Sequence, residues 1–538
     1  MCIATLKAIR LESIEFNKKI VPPIVLDYLR NDPALQHLYE LYPSLDNVEK
    51  AISARSGFRG LDRNVLSENL EAEYSGGHPS VVANIQALRQ NNTYTVTTGH
   101  QLNLATGPMY FIYKILTVIR ISEDLNRKYK QFHFVPIYWM ATEDHDFEEI
   151  NHFWFENEKI TWNSDQKGMV GDFGMDDLSW LDEIERRIDN CKACQEFIQL
   201  LRDCYTDKTL LTGATRKLVY RLFEKYGLVV VDANNSTFKK AFVPYFQMEM
   251  ERQITNKSVF KTLQNYPYRQ KVNPRDLNIF YTEENLRSRI TRSGEDEYSV
   301  LNTDLIFSGE EINELLESNP ERFSPNVLLR PVYQEVVLPN VMYVGGGSEV
   351  AYWLQLRESF KRFSIPFPLV KLRSSVLILR NQSRMKIQSS QFELTDVFRD
   401  DETILSEMLK EEEVEDLGLP ELERIIREDF RVIKEKIKSI ENSLVPSAGA
   451  AEAQMIRKLL VLNKKVKKAR KGKIKNRLEV LNRLRKEAFP GGTFQERKLN
   501  LLEAFKMLGE NPIPIIYGEL NPWEEGLQIH EIVKKQPA

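Results

Sequence analysis

Along the chain, short apolar runs alternate with stretches whose apolar positions recur every three or four residues, the pattern of strands interleaved with helices. Tyr94–Thr98 (YTVTT) is predicted to be a strand that stops at Gly99. A helix follows over Tyr110–Lys130, with Ile112, Ile115, Leu116 and Ile119 on one face. Phe132–Ala141 (FHFVPIYWMA) is almost unbroken in its apolarity, which suits a strand covered on both faces of a parallel sheet. Strand, helix and strand of this length make a right-handed βαβ unit. The pattern recurs at Gly227–Asp232, which leads into a helix from Ser236. It recurs again at Val341–Val344, which runs through Gly345, Gly346 and Gly347 into a helix near Glu349–Phe363. Phe367–Val370 reads as a last strand, and the charged, irregular segments between about 151 and 324 read as insertions. The fold class is α/β with a doubly wound parallel-sheet core.

Beyond about Phe392 the period changes. Ile433, Ile437, Ile440 and Leu444 step by four, three and four. Met455, Leu459, Leu462, Val466 and Ala469 do the same after a turn predicted at Pro446–Gly449. Two such helices form an antiparallel α-helical coiled coil, and its exposed apolar seam predicts a homodimer. The expected organisation is a core over 1–392, a coiled coil over 393–510 and a tail over 511–538 that packs back on the core.

Composition narrows the function classes. Of the 538 residues 42% are hydrophobic and 28% charged, with a net charge of −3, so no whole-molecule field draws the chain to nucleic acid. No run approaches the roughly 20 apolar residues that span a bilayer, so no membrane segment is expected. The N-terminus has no apolar signal-peptide core, and four cysteines (Cys2, Cys191, Cys194 and Cys204) make no disulfide framework. A reduced cytoplasmic compartment is expected. Cys191 and Cys194 form a C-x-x-C with no second pair to complete a structural zinc site, and read as ordinary residues of a helix over Asp182–Leu201.

In an open α/β sheet, ligands bind beyond the carboxyl ends of the strands, and three polar clusters fall there. The first is Thr98-Gly99-His100-Gln101, a turn whose backbone and imidazole suit a phosphate or a developing oxyanion. The second is Glu143-Asp144-His145-Asp146, with Asn151 and His152 just after. Such groups at a buried strand end suit gripping an ammonium, removing a proton from an attacking amine, or holding magnesium. The third is Tyr343-Val344-Gly345-Gly346-Gly347-Ser348-Glu349, followed by Tyr352 and Trp353; it departs from the G-x-G-x-x-G of dinucleotide sites. Arg330 and Gln334 accompany these ends and suit anions. Lys371, Arg373 and Ser374 loosely echo the ATP-steadying loop of class I aminoacyl-tRNA synthetases, and Tyr517, Asn521 and Trp523 offer a second place for a nucleotide base.

Taken together, three long segments carry a resemblance: TGHQLNLATGPMYFIYK over Thr98–Lys114, PIYWMATEDHDFEEINH over Pro136–His152, and LRPVYQEVVLPNVMYVGGGSEVAYW over Leu329–Trp353. They resemble, in order, the segments of the bacillithiol-biosynthesis cysteine-adding enzymes. Three departures stand out. His100 replaces the family's usual Gln, Asn103 replaces a Gly, and Gly347-Ser348 replace Pro-Gly. Asn103 is expected to keep the turn because Asn tolerates the left-handed region. The resemblance implies a Rossmann-like core with insertions and dimerisation through the coiled coil. It also implies a ligase that joins cysteine to glucosamine–malate in the last step of bacillithiol synthesis. An amide does not form from a free carboxylate in water, so ATP with Mg2+ is expected to activate the acid.

Two other classes stay open at this stage. Lys464–Arg477 (KKVKKARKGKIKNR) carries nine basic residues in fourteen, as an RNA-linked synthetase-like protein would, although no aromatic residue interleaves for base stacking. A non-catalytic scaffold built on the coiled coil is the third reading.

Overall fold

The structure, a computed structural model, describes residues 22–188, 190–264, 266, 268, 271–379, 383, 392–400, 402–404, 406–408 and 418–524. Of these, residues 467 and 470–477 are described by backbone alone, as are 5–9, 380 and 527–532. The chain divides into two compact units, Met1–Ser13 with Asn17–Arg380 and Phe489–Ala538, and Ile14–Phe16 with Asn381–Ala488.

The first unit is built on five parallel strands: β1 (Thr93–His100), β2 (His133–Met140), β3 (Val229–Asp232), β4 (Asn340–Gly345) and β5 (Leu369–Leu372). Their order is β5-β4-β1-β2-β3. In β2 every residue after His133 is buried, which is why its sequence is apolar without alternation. Helix α1 (Tyr110–Lys128) carries the chain from β1 to β2, and its Val118, Ile121 and Leu125 pack with Val96, Phe134 and Met342. Each such fully buried side chain contributes about 1.5–3 kcal/mol relative to exposure. From β1 the chain winds outward to β3, then returns to β4 on the other side of β1. The carboxyl ends of β1 and β4 therefore flank the point where strand order reverses, the place where open α/β sheets take their ligands.

The insertion is more regular than its sequence suggests. It contains a second, antiparallel sheet in the order Ile306–Ser308, Glu297–Val300, Leu286–Arg292, Ile279–Glu283, Phe323–Pro325. The helix expected over 182–201 is two, Ser179–Arg186 and Lys192–Cys204. Cys191 is the N-cap of the second and is bonded to Cys194 as a disulfide, which corrects their reading as ordinary helix residues. The cause is spacing, because residues three apart across a helix start lie on one face. The helix expected over 349–363 also divides, into Gly347–Trp353 and Arg357–Arg362.

In the second unit Leu419–Ile440 and Val445–Ala488 are joined through Asn442–Leu444. The turn thus precedes Pro446, which sits in the first helical turn, where its missing N–H costs nothing. Glu452 on the second helix pairs with Lys434 and Arg427 on the first. Ile440, Leu444, Met455 and Leu462 stay exposed on the hairpin. Most side chains of the basic run Lys464–Arg477, and the acidic 411–415, lie outside the described residues. Residues after Phe489 fold with the first unit, not with the coiled coil. Helix Leu501–Leu508 buries Leu501, Leu502 and Phe505, and Leu527–Ile532 pairs with Ser375–Arg380 and Thr5–Ile9. Among the described residues no helix is long and apolar enough to cross a membrane.

Candidate functional site

A cavity of about 770 Å3 opens at the strand-order reversal. The end of β1 brings Gly99, His100 and Gln101; the residues after β2 bring Asp144, His145, Asp146 and Glu149. The segment after β4 brings Gly346 to Glu349 with Tyr352 and Trp353, while Arg330 and Gln334 come from helix Arg330–Val337. The opposite wall is the inserted antiparallel sheet, with Phe280, Arg287 and Arg289, together with Lys271 and Arg275. Arg373 and Arg497 complete it. Seven Arg and Lys side chains thus face four carboxylates, a balance that favours anions.

Asp144 is the hub of the carboxylate side. Burial disfavours its charge. The Arg330 and Arg287 guanidiniums and the His145 backbone N–H, which donates to Asp144 Oδ1 at 2.8 Å, outweigh that, and the carboxyl sits well below the usual range. It is therefore a fixed negative charge and a weak base, suited to holding an ammonium rather than to removing a proton. Gln101 Nε2 donates to Asp144 at 3.2 Å and to Glu149 at 2.9 Å, bridging the two carboxylates. His145 Nδ1 lies 2.6 Å from Arg287 Nη1 and 3.6 Å from Asp144 Oδ1. Guanidinium only donates, so the shorter contact makes Nδ1 the acceptor and leaves the imidazole proton on Nε2. Arg287 itself lies 3.9 Å from the Phe280 ring centre, and burial lowers its pKa to about 10 against the pull of Asp144.

On the other side, Glu349 gathers the ends of β1 and β4. It accepts from Tyr343 Oη at 2.6 Å and Gly346 N at 2.8 Å, and pairs with buried Lys114 at 2.8 Å. Lys114 also donates to the Gly99 carbonyl, so one ammonium ties α1 to both strand ends. His100 stacks on Phe111 and is half-buried, and its buried Nε2 has no partner. Burial, then Lys114 and Arg373, push its pKa well below 6.5, which keeps it neutral at physiological pH. Arg289, Arg330 and Arg373 each bury an Nε–H without a partner. Unmatched donors of this kind await an acceptor.

The expected site residues divide. His100, Gly99, Gln101, Asp144, His145, Asp146, Arg330, Gln334, Gly346, Glu349, Tyr352 and Trp353 line the cavity. Glu143 does not. It is fully buried and paired with Lys239, because successive residues leaving a strand point to opposite sides. Thr98 is turned inward and donates to the Val344 carbonyl at 2.7 Å; Gly345 lies beneath the lining, in β4. Asn151 and His152 bond each other at 3.0 Å outside the cavity. Of the synthetase-like loop, Arg373 lines the cavity while making a bidentate pair with Glu496; Lys371 lies over the Trp523 ring, and Ser374 N is held by Thr117. Trp523 and Tyr517 spend their polar atoms on Asp124 and Glu123 of α1, so they anchor the tail; Asn521 Oδ1 accepts from Trp523 N beside them. Asn103 is extended at φ −65°, and the left-handed residues of its turn are Ala105, Thr106 and Gly107. Among the described residues no group of three or more metal-ligating side chains is assembled.

Sequence reasoning missed Lys114, Tyr110 and the insertion's Arg287 and Arg289. The available signal was Lys114 on an otherwise apolar helix face, and two arginines two apart on one strand face.

The neutrality of His100 has a pH consequence. The unfolded chain binds a proton near pH 6.5, whereas the folded site does not until far lower pH. The native state therefore loses stability as pH falls below 6.5, by up to about 1.4 kcal/mol per pH unit. Chemical denaturation of His100→Gln against the parent is expected to show a gap that shifts toward the variant between pH 6.5 and 5. A pH-independent gap would contradict a desolvated, neutral His100.

Comparison with known proteins gives this geometry a family. Residues 9–374 match the model "Bacillithiol biosynthesis BshC, N-terminal Rossmann-like domain", and residues 376–532 match "Bacillithiol biosynthesis BshC, C-terminal coiled-coil domain". A Flavobacterium johnsoniae protein named "Putative cysteine ligase BshC" is 37% identical over 511 residues, 94% of this chain and 96% of that one. Proteins of the same name from Christiangramia forsetii and Bacillus cereus are 35% and 26% identical, and cover 94% and 95% of this chain and 96% and 98% of their own lengths. With both family models matched in order across the Rossmann-like sheet and the coiled coil, the chain belongs to the bacillithiol biosynthesis BshC family.

Proposed function

We propose that this protein is an ATP-dependent ligase that joins the carboxyl of cysteine to the amine of glucosamine–malate, the last step of bacillithiol synthesis. The observation that carries the reading is the pairing, in one cavity, of unmatched buried guanidinium N–H groups with a carboxylate held permanently charged. The three substrates supply the complementary groups: phosphates and carboxylates for Arg289, Arg330 and Arg373, and the cysteine ammonium for Asp144 and Glu149. His145 donates through Nε2 to an oxygen of the reacting centre, and neutral His100 offers Nε2 to phosphate. Magnesium, which neutralises phosphate charge, arrives with the nucleotide; Asp146 and Glu149 would hold it, since Mg2+ typically takes one or two carboxylates and keeps its waters.

Adenylation is the route we favour, by analogy with other Rossmann-like enzymes that activate carboxylates. The cysteine carboxylate displaces pyrophosphate from ATP; the amine then attacks the activated carbonyl, loses its proton and releases AMP. The reading extends to a cytoplasmic homodimer joined through the apolar seam of the coiled coil. Cysteine labelled with 18O in its carboxyl tests the chemistry. One label is expected in AMP for each amide formed, whereas label in inorganic phosphate with ADP would replace adenylation by an acyl-phosphate route. Turnover of ATP with no amide would remove the ligase assignment.

A further inference from the structure

Among the described residues outside the cavity, one reactive group remains unused. Cys191 and Cys194 form a disulfide across the first turn of helix Lys192–Cys204, with Cα atoms 5.2 Å apart. The two sulfurs are not equivalent. Cys194 is fully buried, while Cys191 is part-exposed at the N-cap. Cys191 Sγ accepts the Cys194 N–H at 3.2 Å and sits at the positive end of a thirteen-residue helix. Both features stabilise a thiolate on Cys191 once the bond is opened. The remaining described cysteine serves as an internal contrast: Cys204 is buried, and burial pushes its thiol up to about 11, so it is inert.

The helix that carries the pair also reaches the turn between the end of β1 and α1. Tyr205, its C-cap, accepts the Ala105 N–H at 3.2 Å. Phe197 stacks on Phe505 at 4.8 Å, and Asn500, the N-cap of the Phe505 helix, donates to the Ala105 and Gly107 carbonyls. Those bonds hold a turn in which Ala105 and Thr106 both take positive φ, a conformation costing about 1–3 kcal/mol per residue unless its surroundings impose it. The same turn links His100 to α1.

We infer that Cys191–Cys194 is a thiol–disulfide exchange site for small thiols and their disulfides, and that its state is transmitted to the 104–109 turn beside the cavity. The exchange balances in two steps. A small thiolate attacks Cys191 Sγ, forming a mixed disulfide there while Cys194 leaves as a thiolate and takes a proton. A second small thiolate attacks the small-molecule sulfur of that mixed disulfide, releasing the oxidised small disulfide and the Cys191 thiolate. Two electrons pass to the protein pair. In a compartment that keeps thiols reduced, a persistent disulfide is more often redox-sensing than structural.

Full-length protein is incubated in graded cysteine and cystine mixtures, trapped with iodoacetamide and mapped by peptide mass spectrometry. The pair is expected to titrate as one two-electron step, and in Cys194→Ser a cysteinyl adduct is expected on Cys191. In reduced parent protein, Cys191 is expected to alkylate at least about tenfold faster than Cys194 and Cys204. A pair that stays closed or open across all mixtures in folded protein would overturn the exchange site, as would faster labelling of Cys194. Hydrogen exchange reads the second half. Amides of Ala105, Gly107 and Met109 are expected to exchange faster in the reduced protein, and identical protection in both states would overturn the transmission.

Discussion

Replacing Arg330 with alanine is expected to lower kcat/KM for cysteine ligation by about 10²–10³-fold, with the fold intact. Arg330 opens helix Arg330–Val337 at the cavity, and its Nε–H is buried without a partner. Its Nη1 lies 3.8 Å from Asp144, close enough to hold that carboxylate charged yet too far for a hydrogen bond to use up the fork. The guanidinium is thus prepaid in position and free to meet an anion, which is what differential stabilisation of a charged transition state requires. Lysine at this position keeps the charge and loses the planar fork, so Arg330→Lys is expected to recover only part of the rate. Steady-state kinetics with circular dichroism on the same samples checks this. Activity within about threefold of the parent would remove Arg330 from the reaction.

The largest stability effect is expected away from the cavity. Lys239 and Glu143 are both completely buried and paired, and Lys239 also donates to the Phe323 carbonyl. Burial lowers the Lys239 pKa against the pull of Glu143, so the pair sits in a medium that penalises charge. Lys239→Met leaves a carboxylate there alone, which costs about 3–5 kcal/mol, whereas removing both charges by Lys239→Met with Glu143→Met is expected to restore most of that loss. Denaturant midpoints of the two singles and the double give the coupling directly. A single variant that costs under about 1 kcal/mol would show that the pair is not desolvated. The double variant also separates structure from chemistry. Ligation that survives in it is the expected result, since neither side chain lines the cavity.

How much of this was legible beforehand follows from what each segment buries. β2 announced itself because both its faces are covered, and the three polar clusters stood out because they follow buried strands directly. What failed was direction. Glu143 and Asp144 looked like one acidic group, yet neighbours leaving a strand diverge, and one went to the core while the other went to the cavity. The insertion hid one wall of the site. Its short strands carry charged residues that read as solvated surface, although Arg287 and Arg289 share a strand face and point at the cavity. Arg373 does reach the cavity, yet two of its nitrogens are bound to Glu496, far along the chain, and such pairings leave no local trace. The disulfide was missed for the opposite reason. Its two cysteines are only three residues apart, and an uninterrupted helical pattern concealed the break that makes Cys191 a cap.

The central claim is that this cavity joins cysteine to an amino sugar. It is tested most directly by mass spectrometry of the product from cysteine, glucosamine–malate, ATP and magnesium, run side by side with the parent and a folded Asp144→Asn variant. The account expects bacillithiol from the parent and a yield lower by at least about 10²-fold from the variant, because the fixed charge that holds the ammonium is gone. Equal yields from both, or none from a folded parent, would contradict it.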